Sequence, residues 1–146
     1  MKVPFRLSLA VQYASASALI PTRPQFRRWV QAALQRDAQI VLRITDEAEG
    51  RTLNKNFRGK DYATNVLAFP YGESDPLYGD IVVCAPVVET EAREQHKALP
   101  AHYAHLTVHA VLHLQGYDHD SAADAAAMES RETAILANLG YANPYQ

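Results

Sequence analysis

Three histidines carry the chemistry that this sequence offers: His109, His113 and His119, in the stretch His109-Ala-Val-Leu-His113-Leu-Gln-Gly116-Tyr-Asp-His119. Residues four apart on an α-helix lie one turn above each other on the same face, so His109 and His113 can aim their rings at one ion. A third ligand on that helix would sit too far along the axis. Gly116 resolves the difficulty, because glycine readily takes the left-handed conformation that ends a helix and turns the chain back. The turn can carry His119 round to the same point. Three neutral imidazoles and one open position make the arrangement of a catalytic zinc, whereas structural zinc sites are usually closed by four protein ligands. We therefore expect one zinc ion per chain, held by His109, His113 and His119; imidazole also suits nickel, copper or iron.

His105 lies four residues before His109 on the same face. It would stand about 12 Å from His113 along the axis, while zinc–nitrogen bonds are about 2 Å, so the two cannot share an ion. His102 and His105 are read as helix-surface groups or neighbours of the site. The histidine spacing equals that of the metzincin proteases, H-E-x-x-H-x-x-G-x-x-H, except that Ala110 replaces the glutamate that serves there as general base. The metal grip is kept and the protease base is dropped. Asp118 and Asp120 flank His119 as caps for a helix opening at Ser121, or as carboxylates that orient a histidine ring.

Arg58 is the leading non-metal candidate. Its guanidinium presents a planar fork that matches phosphate oxygens and stays charged at any relevant pH. Near a metal it would neutralise charge building on a phosphodiester; the plainer reading is a solvated loop cation. Lys60, Thr64 and Asn65 are placed in the same groove as substrate-binding groups, although Asp61 and Asn65 equally suit turns.

The histidine stretch resembles the signature of the YbeY family of bacterial endoribonucleases, H-G-x-L-H-L-x-G-Y-D-H, with Ala110 in place of the usual glycine. Residues Leu53 to Pro70 resemble that family's L-N-x-x-Y-R-x-K-D-x-x-T-N-V-L-S-F-P, with Phe57 for tyrosine and Ala68 for serine. Gly79-Asp80-Ile81 and the run Met128-Glu129, Glu132, Leu136, Gly140 resemble further family elements. The resemblance implies a zinc-dependent, single-strand-specific endoribonuclease with Arg58 catalytic. It further implies a role in maturing the 3′ end of small-subunit ribosomal RNA and in ribosome quality control, with the small subunit or its assembly factors as partners. The general base is left between the metal's own hydroxide and activation of the RNA 2′-hydroxyl. Two other readings stand beside it: a metal-dependent peptidase, and a non-catalytic assembly factor whose metal only locks the fold.

With 146 residues, 48% hydrophobic and 21% charged, the chain reads as one soluble hydrolase domain over 1–146. A net charge of −2 excludes a general nucleic-acid binder with a broad basic face, so RNA must be held by a local basic patch and the metal. The single cysteine, Cys84, excludes an internal disulfide framework, fits a cytoplasmic location and reads as core. Lys2, Arg6 and the run Ala14-Ser-Ala-Ser-Ala18 imitate a secretory signal, but Val3, Phe5, Leu7, Leu9, Val11 and Tyr13 alternate as a strand does. No run is apolar for the roughly 18 residues a membrane span needs, and no membrane partner is expected.

The elements that must position these groups follow from periodicity and breakers. A strand over 3–13 precedes a helix over 23–35 that carries Phe26, Trp29, Val30 and Leu34, with Trp29 in the core. Ile40, Leu42 and Ile44 alternate as a second strand. Thr45 caps a helix to Asn56, a polar loop spans Arg58 to Asn65, and Val66–Phe69 is a short strand. A turn-rich loop from Tyr71 to Gly79 leads to a buried strand at Asp80–Cys84. Helices follow from Pro86 to Lys97, from Pro100 to Gly116, and from Ser121 to Leu139. The order β-α-β-α-β-β-α-α-α predicts an α+β domain, a small four-stranded mixed sheet with about five helices packed on it. The metal site belongs to a central helix and the turn after it.

Overall fold

The computed structural model describes residues 5–72 and 74–146. In chain order it runs β1 (Leu7–Ala14), α1 (Arg23–Ala33), β2 (Ala38–Thr45), α2 (Glu47–Arg58), β3 (Val66–Pro70), β4 (Leu77–Cys84), α3 (Ala85–Glu94), α4 (Leu99–Leu114) and α5 (Ala122–Asn138). The sheet order is β1-β2-β4-β3. β2 runs parallel to both β1 and β4, and β3 pairs antiparallel with β4, so the sheet is mixed as expected.

Alternation builds β2: Ile40, Leu42 and Ile44 are buried while the residues between them are more exposed. α1 opens with a capping box between Thr22 and Gln25 and carries a proline in its first turn, which removes a donor that no helical carbonyl could use. Its buried stripe is Phe26, Trp29, Val30 and Ala33, and Trp29 is core as expected. Cys84 is likewise buried.

α4 organises the rest. It is apolar on nearly every side, with Tyr103, Ala104, Leu106, Val108, Ala110, Val111, Leu112 and Leu114 all buried. Such a helix needs cover all round; it packs against α1, α3 and α5 and lies over β3 and β4. The approach to β4 is so close that a Cβ on Gly79 would meet Leu114 Cδ2 at 2.7 Å, so any side chain here would force Leu114 to shift.

The structure departs from expectation at element ends. Thr45 is the buried last residue of β2, and Asp46 occupies the N-cap of α2. The side chain of Asp46 turns instead to Ser15 and the Ala16 amide, which tie the β1–α1 loop to this corner. β4 begins at Leu77 and not at Asp80, because Leu77 is fully buried and pairs with Ala38 of β2. Ser121 caps α5 by accepting from the Asp124 amide, which leaves neither Asp118 nor Asp120 that role. Tyr13 continues the β1 alternation but is 39% exposed, its hydroxyl donating to the Pro21 carbonyl under Arg23. Val3, expected at the start of that strand, lies outside the described residues.

Candidate active site

The C-terminal half of α4, the turn after it and the end of α2 meet at one cleft. α4 stops one residue past His113, at Leu114, and Gly116 takes φ +101, a backbone angle that side-chain-bearing residues rarely adopt. This turn brings His119 back alongside the helix. Its ring stacks on that of His109 at 5.3 Å and 12°, with the two Nε2 atoms 3.4 Å apart. His113 lies further off, its ring centroid 6.5 Å from that of His119.

Hydrogen bonds decide which nitrogen of each ring is available. His109 Nδ1 lies 3.1 Å from Glu132 Oε2, and His113 Nδ1 lies 3.1 Å from the Tyr117 carbonyl oxygen. Both partners are acceptors, so each Nδ1 carries the proton and each Nε2 keeps its lone pair. Ligating histidines are commonly held in this way. The 3.4 Å between the Nε2 atoms of His109 and His119 is the separation expected of two imidazoles that share one cation. Two zinc–nitrogen bonds at a tetrahedral angle place their nitrogens about 3.3–3.4 Å apart. The donor set fits zinc. Among the described residues, however, no three His, Cys, Asp or Glu groups already converge as a closed ion cage, because His113 stands off from the pair.

Glu132 escaped the sequence analysis as part of this site. It projects from α5 with 1% of its side chain exposed and also accepts from His105 Nε2 at 2.7 Å and from the Tyr145 hydroxyl at 2.7 Å. Burial alone would push its carboxyl up, but the hydrogen bonds from His105, His109 and Tyr145 outweigh burial and bring its pKa down to about 2. The signal was present: Met128, Glu132, Ile135 and Leu136 are the buried residues of α5, at helical spacing, and one of them is acidic. An acid on the apolar stripe of an amphipathic helix needs buried donors. His102 and His105 are not surface groups; His102 is 3% exposed and binds Glu91 at 2.9 Å.

Arg58 closes the opposite wall. It ends α2, which stops at Gly59, and Asn54 Nδ2 donates to the Tyr62 carbonyl to fold the following loop back. Arg51 is engaged by Asp61 and Arg43 by Glu49, whereas Arg58 has no ion pair among the described residues. The guanidinium therefore faces the cleft uncompensated. A cavity of about 370 Å³ is lined by Arg58, His109, His113, His119, Ala110, Phe57 and the β3 residues Val66 to Phe69. Lys60, Thr64 and Asn65 are not in that lining. Lys60 is exposed, and Asn65 is committed to structure, its amide donating to Glu91 and its side-chain oxygen accepting from the Val66 amide. Asp61, read as a turn former, instead pairs with Arg51.

Comparison with known proteins places these features in a family. The family model described as Endoribonuclease YbeY matches residues 14–140, a span that includes every residue of the cleft. The chain is 60% identical over 141 residues to an endoribonuclease YbeY of Thiobacillus denitrificans, covering 95% of this chain and 96% of that protein. It is 57% identical to the one of Nitrosomonas europaea, covering 95% and 85%. The solution structure of a Thermotoga maritima protein shares the fold, with a TM-score of 0.57 at 24% identity, covering 94% of this chain and 99% of that one. Matches of that reach and identity make this chain a member of the YbeY endoribonuclease family.

Proposed function

We propose that the chain is a zinc-dependent, single-strand-specific endoribonuclease, one hydrolase domain over 1–146, that acts in the cytoplasm on ribosomal RNA. The observation that carries this reading is one cleft in which the unpaired guanidinium of Arg58 faces imidazole nitrogens whose lone pairs are free. Membership of the family supports RNA as the substrate. His109, His113 and His119 would hold the zinc, which when bound supplies Lewis acidity at a phosphoryl oxygen and a water of lowered pKa. Closing that set requires His119, exposed on its turn, to move toward His113.

The chain's own residues do the positioning. Glu132 and the Tyr117 carbonyl hold His109 and His113 in the tautomer that presents Nε2. Arg58 orients the scissile phosphate and offsets the charge that gathers on it as the bond to the leaving oxygen lengthens. Ala110 and the side chains of β3 exclude bulk water from one side of the cavity. Among the described residues no carboxylate lines it, so the base that a peptidase of this histidine spacing needs is missing from that lining, and Glu132 is buried and already occupied. Lys55 and Arg58 in the last turn of α2, with Lys60 after it, form the local basic patch that a chain of net charge −2 needs to meet RNA. Lys60 and Thr64 would meet the strand beyond the cleft, and docking on the small ribosomal subunit or its assembly factors would deliver the substrate. The 3′ end of the small-subunit RNA is the proposed target. Among the described residues no helix is long and apolar enough to cross a membrane.

The test is elemental analysis of protein purified without added metal, followed by cleavage of an unstructured RNA carrying the 3′ end of the small-subunit sequence. We expect about one zinc per chain and cleavage that Arg58→Ala slows about 100- to 1,000-fold. Cleavage of unstructured peptides instead would establish the peptidase. Full cellular function of Arg58→Ala would establish a non-catalytic assembly role.

A further inference from the structure

The wall formed by Phe57 and Phe69 has two sides. Their rings meet edge-on, with centroids 5.1 Å apart, and both residues line the histidine cleft on one side and a second cavity on the other. The second cavity holds about 670 Å³, within the usual range of about 300–1,000 Å³ for small-molecule sites. Its walls are apolar, from Leu53, Val82 and Pro70 as well as the two phenylalanines. Phe57 is 65% exposed and Tyr71, on the same cavity, 60% exposed, an unusual amount of aromatic surface to leave in water beside a reactive cleft.

The polar rim selects what can enter. Arg43 is the only cation among the lining residues, and it is bound at 2.7 and 2.8 Å to both carboxylate oxygens of Glu49, with a further bond to Gln12. Asp80 accepts from the Tyr71 hydroxyl. Glu49 and Asp80 therefore repel a phosphate, which meets no free cation among the described lining residues. Their carboxylates, which can accept further hydrogen bonds, stand on the rim of a slot with apolar, aromatic walls. Such a slot suits a flat, neutral ring that carries N–H donors.

We propose that this cavity is a nucleobase subsite, holding the base of a nucleotide next to the scissile phosphate and favouring bases with an exocyclic amino group. This rests on the endoribonuclease reading above. The two cavities divide one nucleotide by its chemistry: the anionic phosphate goes to Arg58, and the base crosses the Phe57–Phe69 wall to stack on Tyr71. Carboxylates accept from the amino group of cytosine. Uracil presents a carbonyl oxygen there, which would face Asp80 or Glu49 unfavourably.

Zinc-loaded protein would be given unstructured oligoribonucleotides that differ only in cytidine or uridine beside the cleavage site, and a third with 2-aminopurine at that position. We expect roughly tenfold higher kcat/KM for cytidine and quenching of the 2-aminopurine fluorescence on binding. Tyr71→Ala should remove the quenching and lower kcat/KM on the cytidine substrate about tenfold, and Tyr71→Phe should restore the quenching. Asp80→Asn should shrink the preference for cytidine. If the wild type cleaves RNA and Arg58→Ala cleaves it far more slowly, yet base identity and Tyr71→Ala change nothing, the subsite is wrong and the nuclease reading stands. If the wild type neither binds nor cleaves these RNAs, both fall.

Discussion

The two halves of α4 carry the same residue type in nearly the same register to opposite ends. His102 and His105, in the first half, bind carboxylates through Nε2, at 2.9 Å to Glu91 and 2.7 Å to Glu132. His109 and His113, one and two turns on, are held through Nδ1, by Glu132 and by the Tyr117 carbonyl. An imidazole anchored through Nε2 has spent the nitrogen that reaches furthest from the backbone. One anchored through Nδ1 presents it. Glu132 touches both kinds, giving one oxygen to each, and so stands at the border between the packed end of the helix and the reactive end. What separates a structural histidine from a chemical one here is the atom its neighbour takes.

The sharpest way to break that contrast is at the reactive end. His113→Ala is expected to lose the bound metal on elemental analysis and to cut RNA no faster than background, whereas His102→Ala should keep its zinc. Equal metal loss in both would erase the distinction. Arg58→Ala should follow, with kcat/KM on RNA down about 100- to 1,000-fold, the usual cost of one removed transition-state donor, and metal content unchanged.

At the border, Glu132→Gln keeps the shape but lets the amide present a donor to His109 or His105. Zinc affinity, measured by competition with a chelator, should fall about 10- to 100-fold. Unchanged affinity would mean that His109 does not depend on this carboxylate. At the packed end the effect is smallest. Burial raises the Glu91 carboxyl, but its hydrogen bonds from His102 and Asn65 outweigh that and hold it below its ordinary 4.5. A carboxyl lowered by folding stabilises the protein above its unfolded pKa and loses that stabilisation as pH falls through the folded one. Glu91→Gln should therefore cost on the order of 1 kcal/mol at pH 7, and less and less as the acid falls below pH 4.5. An equal difference in unfolding free energy at pH 7 and pH 3 would contradict it.

Much of this was legible in the chain. The order of elements could be read because each one declares its own period: Ile40, Leu42 and Ile44 alternate, and Phe26, Trp29, Val30 and Ala33 recur at helical spacing. The ends were harder. Thr45 has the side chain of a cap, yet it is drawn into the core as the last residue of β2, and the shift of one residue to Asp46 follows from burial that no local pattern displays. Lys60 and Asn65 were grouped with Arg58 by proximity in sequence, whereas the turn at Gly59 leaves the first in solvent and Glu91 claims the second.

By itself the sequence determined that His109 and His113 share a face and that the chain turns at Gly116, whereas it placed Arg58 in a loop and the structure makes it the last residue of α2. The first two are consequences of helix period and backbone sterics, which act over a few residues. Only the tertiary structure decided which ring nitrogen faces outward, because that depends on Glu132, 23 residues further along the chain. Packing likewise separated the phosphate-facing cleft from the aromatic cavity beside it, by setting Phe57 of α2 against Phe69 of β3. Pairings between distant residues are made by whichever apolar faces bury one another, and no short stretch of sequence carries them.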